Sequence, residues 1–86
     1  MAYQVVIKPA ARRDIKKLAK PDQIRIIKCL EALAEDPRPS GTKKLRAAED
    51  LFRVREGNYR IIYQIQDEKL LVLVVKVGHR REIYRR

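Results

Sequence analysis

The chain has 86 residues, enough for one domain spanning 1–86 and too few for two hydrophobic cores, so modest stability is expected. Its 21 Lys and Arg against 11 Asp and Glu give a formal net charge of +10, far beyond what solubility requires and suited to a polyanion or an acidic protein partner. A lone Cys29 and a lone His79 exclude an intramolecular disulfide and a Cys/His zinc site. The longest apolar run, Leu70 to Val75, is six residues against the roughly 20 that cross a bilayer, so a cytoplasmic protein with no metal, no cofactor and no membrane partner is expected.

Tyr3-Gln-Val-Val-Ile7 is rich in β-branched residues and reads as a first strand. Pro9 then opens a short basic helix, since proline is tolerated where the helical N–H has no partner, and Ala11, Ile15 and Leu18 share its apolar side. Pro21 and Asp22 restart a helical pattern whose stripe of Ile26, Ile27, Leu30, Leu33 and Ala34 runs until Pro37 and Pro39 forbid further turns. Within it Cys29 lies beside Ile26 and Leu33 and reads as buried and inert rather than nucleophilic. The stretch Arg38-Pro-Ser-Gly-Thr-Lys-Lys-Leu-Arg46 is a proline- and glycine-bearing connection. Its Lys43, Lys44 and Arg46 either hold a substrate strand or cross the surface without a partner.

Leu51–Glu56 and Tyr59–Ile65 read as two strands joined by Gly57-Asn58, a pair suited to a two-residue turn with positive φ at its first central position. The turn sets the register: Glu56 faces Tyr59, Val54 faces Ile61 and Phe52 faces Tyr63 on an apolar side, while Arg55 faces Arg60 and Arg53 faces Ile62 on a cationic side. Two arginines directly opposite each other cost a hairpin up to about 1 kcal/mol, and an anion between them reverses the sign. The plainer alternative is a solvated face on which they splay apart. After Gln66-Asp-Glu-Lys69 the run Leu70–Val77 is apolar on both faces and reads as a central strand covered on two sides. The order β-α-α-β-β-β then implies an α+β fold: two N-terminal helices packed on one face of a small, mainly antiparallel four-stranded sheet, with the arginines on the open face.

Lys44-Leu-Arg46, Phe52-Arg-Val-Arg55, Gly57-Asn-Tyr-Arg-Ile-Ile-Tyr-Gln64, Val77-Gly-His-Arg80 and Glu82-Ile-Tyr84 resemble, in this order and spacing, the RelE branch of the RelE/ParE toxin superfamily. That resemblance implies a toxin of a type II toxin–antitoxin pair that cuts messenger RNA in the ribosomal A site without metal. The ribose 2′-hydroxyl attacks the adjacent phosphate and the 5′-oxygen leaves. It also implies a RelB-like antitoxin as partner. By the same resemblance Arg60 contacts the scissile phosphate, Arg80 matches the arginine after Val-Gly-x, and Tyr84 stacks on or orients a nucleotide. Arg53 and Arg55 occupy places that are often lysine.

The last difference bears on mechanism. Arginine holds its proton at physiological pH, so Arg55 can stabilise a pentacoordinate phosphate but cannot take a proton from the 2′-hydroxyl. Histidine titrates near neutrality, which makes His79 the candidate for proton transfer, against a plainer role in local packing. Tyr84 stands among Arg80, Arg81, Arg85 and Arg86, a mixture of cations and an aromatic ring that suits single-stranded RNA, against packing on the sheet. Catalytic candidates are therefore Arg55, Arg60, His79, Arg80 and Tyr84, and RNA-binding candidates Lys43, Lys44, Arg46, Arg53, Arg81 and Arg85. A ParE-like inhibitor of DNA gyrase and a non-catalytic RNA-binding relative are the competing functions.

Overall fold

The structure, a computed structural model, describes residues 2–45 and 50–79. Strand β1 (Gln4–Ile7) leads into helix α1 (Pro9–Lys16), with Pro9 in its first turn as expected, and helix α2 (Lys20–Glu35) follows with Pro21 in its own. Then come β2 (Lys43–Lys44), β3 (Leu51–Glu56), β4 (Tyr59–Gln66), a single 3₁₀ turn over Asp67–Lys69, and β5 (Leu71–His79). Among the described residues these strands form one five-stranded sheet in the order β1-β5-β4-β3-β2.

Two features correct the expected four-stranded sheet. Lys43-Lys44, expected within a connection, pairs antiparallel with Phe52 and Arg53 as a short edge strand. Two residues are too few to show a period of two, so the sequence carries no sign of it. The first strand pairs with the last, Gln4 to Leu71 through Ile7 to Val74, and this pair is parallel, so the sheet is mixed.

The β3–β4 hairpin has the register that its turn dictates, from Glu56 opposite Tyr59 to Phe52 opposite Tyr63. Gly57 sits at φ +61°, the left-handed first position of the turn that glycine occupies without steric cost. Side chains alternate across the strands. Val54, Ile61, Tyr63, Ile65, Val72, Val74 and Val77 therefore meet Ala11 and Ile15 of α1 and Ile26, Leu30 and Leu33 of α2 in one core on the helix side. Phe52, Tyr59 and Cys29 pack against its rim. Ile27, expected in the buried stripe, is 38% exposed.

Strand β5 carries an irregularity. Tyr63 pairs with Val74 but Ile62 pairs with Lys76, so Val75 is an extra residue, a β-bulge. Before it the even-numbered residues Val72 and Val74 face the helices; after it Val77 and His79 do. Without the bulge Lys76 would point into the core. Beyond the end of β1, α1 covers this edge of β5: the Val77 N–H donates to Asp14 Oδ2 at 3.1 Å, and Lys76 Nζ lies 4.0 Å from the same oxygen.

Candidate nucleic-acid interface

The face of the sheet away from the helices is graded from cationic to apolar. In the row nearest the β3–β4 turn stand Arg55, Arg60 and Gly78; the next holds Lys43, Arg53, Ile62 and Lys76. Further along come Leu51, Gln64, Leu73 and Val6, and then Gln66, Leu71 and Gln4. The cationic side expected over the whole hairpin is thus confined to its turn end, while the other end is aliphatic and amide-bearing, with Gln66 Nε2 donating to Gln64 Oε1 at 2.9 Å.

At the turn end Gly41, Lys43, Arg53, Val54, Arg55 and Arg60 line a cleft of about 310 Å³. No carboxylate is among these lining residues. Arg60 is only 9% exposed, in the middle of the sheet. Its neighbour on β5 is Gly78, which presents no side chain. Arg55, on the other side, is exposed and turns its Nε toward the Gly57 carbonyl at 3.3 Å. A shielded guanidinium flanked by exposed ones can hold a phosphodiester more strongly than a cation in bulk water, because little solvent screens the pair. It can also answer the extra negative charge of a pentacoordinate phosphorus.

The structure brings Arg53, Arg55, Arg60 and Lys43 together, and separates others from them. Lys44 pairs with Phe52 and falls on the opposite face from Lys43. His79 pairs with Tyr59 across the β4–β5 ladder, and its ring meets the Tyr59 ring edge-on with centroids 5.9 Å apart, on the helix side. There it lines a second concavity with Asp14, Lys17 and Leu18, while the Tyr59 hydroxyl donates to Asp22 Oδ2 at 3.1 Å. His79, expected as the base beside Arg55 and Arg60, thus stands on the opposite face of the sheet from them. The Val75 bulge turned it to the other face. Arg46, Arg80, Arg81, Tyr84 and Arg85 lie outside the described residues.

Gly41 lines the cleft at φ +92° and was not anticipated; its place in Pro-Ser-Gly-Thr was the available signal. Among the described residues no three His, Cys, Asp or Glu side chains cluster as metal ligands, and no helix is long and apolar enough to cross a membrane. Burial pushes the Cys29 thiol up to about 11, with Glu56 adding to the effect.

Residues 5–84 match the family described as the ParE toxin of type II toxin–antitoxin systems. The chain belongs to the RelE/ParE toxin family. It is 34% identical to toxin RelG of Mycobacterium tuberculosis over the full length of both chains. To the mRNA interferase toxin RelE of Escherichia coli K12 it is also 34% identical, over 98% of this chain and 92% of that one. The solved toxin–antitoxin complex RelBE2 of M. tuberculosis contains a chain that superimposes with a TM-score of 0.81 at 32% identity, covering 92% of this chain and 99% of that chain. This RelE-like toxin is thus placed in a toxin–antitoxin system by sequence and fold alike.

Proposed function

We propose that this toxin is an endoribonuclease that cleaves messenger RNA in the ribosomal A site and so stops translation in the cytoplasm. The observation that carries the reading is the cleft in which Arg53, Arg55, Arg60 and Lys43 converge on one spot of the open face. The likeness to a relative named mRNA interferase supports it.

In this proposal the scissile phosphate sits between Arg55 and Arg60. The ribose 2′-hydroxyl attacks the phosphorus and gives its proton to water as the new P–O bond forms. The bond to the 5′-oxygen breaks and that oxygen takes a proton from water, leaving a 2′,3′-cyclic phosphate on one fragment and a 5′-hydroxyl on the other. The arginines stabilise the charge of the transition state and do not act as bases, since they keep their protons. Arg80 and Tyr84 belong to the proposal as a second phosphate contact and a base-stacking ring, and Arg46, Arg81 and Arg85 as flanking RNA contacts. A RelB-like antitoxin with an acidic or amphipathic segment would neutralise this basic surface, in line with the RelBE complexes among the solved relatives.

The name of the matching family favours a second reading, inhibition of DNA gyrase. One experiment separates the two. In a translating extract the proposal expects primer extension to show cuts within codons, with the cyclic-phosphate and 5′-hydroxyl ends above, while purified gyrase keeps supercoiling. Intact messenger together with blocked supercoiling selects the gyrase reading instead.

A further inference from the structure

Between α2 and β2 the chain crosses the end of the sheet through Pro37, Arg38, Pro39, Ser40, Gly41 and Thr42, and this crossing sets one wall of the cationic cleft. Gly41 and Lys43 line the cleft; what holds them in place comes from elsewhere. Tyr63, fully buried on β4, sends its hydroxyl out of the core to donate to the Pro37 carbonyl at 2.7 Å. Thr42 Oγ1 lies 3.3 Å from the Tyr63 hydroxyl oxygen. A phenol has one proton, already given to Pro37, so the threonine hydroxyl is the donor in the second bond. The Thr42 N–H closes the turn on the Pro39 carbonyl at 3.0 Å.

The outer side of the crossing is tied as well. Arg38 lies over the Phe52 ring, 5.3 Å from its centroid, and Phe52 in turn stacks on Tyr63 at 6.2 Å. The Arg38 guanidinium donates to both oxygens of Asp67, at 3.2 and 2.8 Å, and the Tyr3 hydroxyl donates to Asp67 Oδ1 at 2.6 Å. Arg38 thus has its charge answered by a carboxylate and does not line the cleft. A hydroxyl at the core position of Tyr63 costs free energy unless it is bonded, and here its bonds go to the cleft wall.

We infer that Tyr63, through Pro37 and Thr42, and Arg38, through Asp67 and Phe52, are positioning residues that hold Gly41 and Lys43 at the spacing the phosphate needs. The inference rests on the reading of the cleft as an RNA site. A positioning role is separated from a merely structural one by coupling: removing the Tyr63 hydroxyl should matter only while Lys43 is there to be positioned.

The experiment measures binding of a fluorescein-labelled oligouridylate by anisotropy for wild type, Tyr63→Phe, Lys43→Ala and the double variant, over a range of salt. Wild type should bind with strong salt dependence, and Lys43→Ala should lower the slope of log K against log salt by about 0.7, one phosphate contact on a single strand. Tyr63→Phe should weaken binding about three- to tenfold, and the double variant should bind no worse than Lys43→Ala alone. Thr42→Val, which removes the second bond without touching the core, should reproduce the Tyr63→Phe loss if that variant fails to fold. Wild-type affinity in folded Tyr63→Phe and Thr42→Val, or losses that multiply in the double variant, overturns the positioning role. Absence of salt-dependent binding by wild type overturns the RNA reading of the cleft itself, a distinct result.

Discussion

Arg55→Gln should make this protein more stable at low salt while weakening its hold on RNA. Arg55 and Arg60 are cross-strand partners one step from the Gly57-Asn58 turn. In a two-residue hairpin the closing pair, Glu56 with Tyr59, exchanges both hydrogen bonds, so Arg55 and Arg60 form the closer, non-hydrogen-bonded kind of pair. Two unit charges about 6 Å apart repel by roughly 0.7 to 2.8 kcal/mol for an effective dielectric between about 80 and 20. Exposed Arg55 can splay, so the lower part of that range applies, in keeping with the limit of about 1 kcal/mol for like charges across a ladder. The substitution also gives up the long Arg55 bond to the Gly57 carbonyl, a cost of about 0.5 kcal/mol or less at an exposed site. The net gain is about 0.5 kcal/mol, or roughly 2 to 4 °C in Tm for a domain of this size. Thermal melts of both proteins in low salt and in about 1 M salt provide the test, since the difference should vanish at the higher concentration, where the Debye length is about 3 Å. A variant that melts below wild type in low salt would refute the reasoning.

Three further predictions concern the rest of the fold. Deleting Val75 should leave a folded protein, because it removes the extra residue while keeping Val74 opposite Tyr63, Lys76 opposite Ile62 and Val77 opposite Ile61, so Lys76 stays on the open face; loss of a cooperative melt in the deletion variant would count against the bulge assignment. For Cys29, burial raises the folded thiol to about 11, so the folded protein keeps that proton after the unfolded chain has lost it. The thiol's contribution should be complete below about pH 8.5 and decline from there toward about 11, a decline that denaturant titrations should find missing in Cys29→Ala. His79→Ala should leave RNA cleavage within a few-fold of wild type, since the ring stands with Tyr59 on the helix side; a loss of a hundredfold or more, measured on folded protein, would return the histidine to the mechanism.

How much of this was legible in the sequence differs from element to element. The hairpin register and the grouping of Arg53, Arg55 and Arg60 followed from Gly57-Asn58 and strict alternation, and those residues stand where the pattern puts them. Tyr59 and Tyr63 fell on the helix side for the same reason. Strand β5 was opaque because Leu71–Val75 is apolar on both faces, so no alternation marks where one residue is inserted. The available signal was Lys76, which uninterrupted alternation would have placed in the core. That bulge, rather than any feature of His79 itself, decides which face the histidine joins. The two-residue β2 escaped because Lys43-Lys44 carries no periodicity, and the burial of Arg60 because alternation gives the face a residue joins and not how far its neighbours cover it. Arg80 and Tyr84 enter on resemblance alone.

The account depends most on a single phosphate being held at Arg60. In a translating extract, primer extension on the messenger with wild-type protein and with Arg60→Ala, each shown to be folded by circular dichroism, tests this directly. Cuts within codons for wild type and none for Arg60→Ala are predicted. Equal cutting by the two proteins, or an intact messenger with wild type, would contradict it.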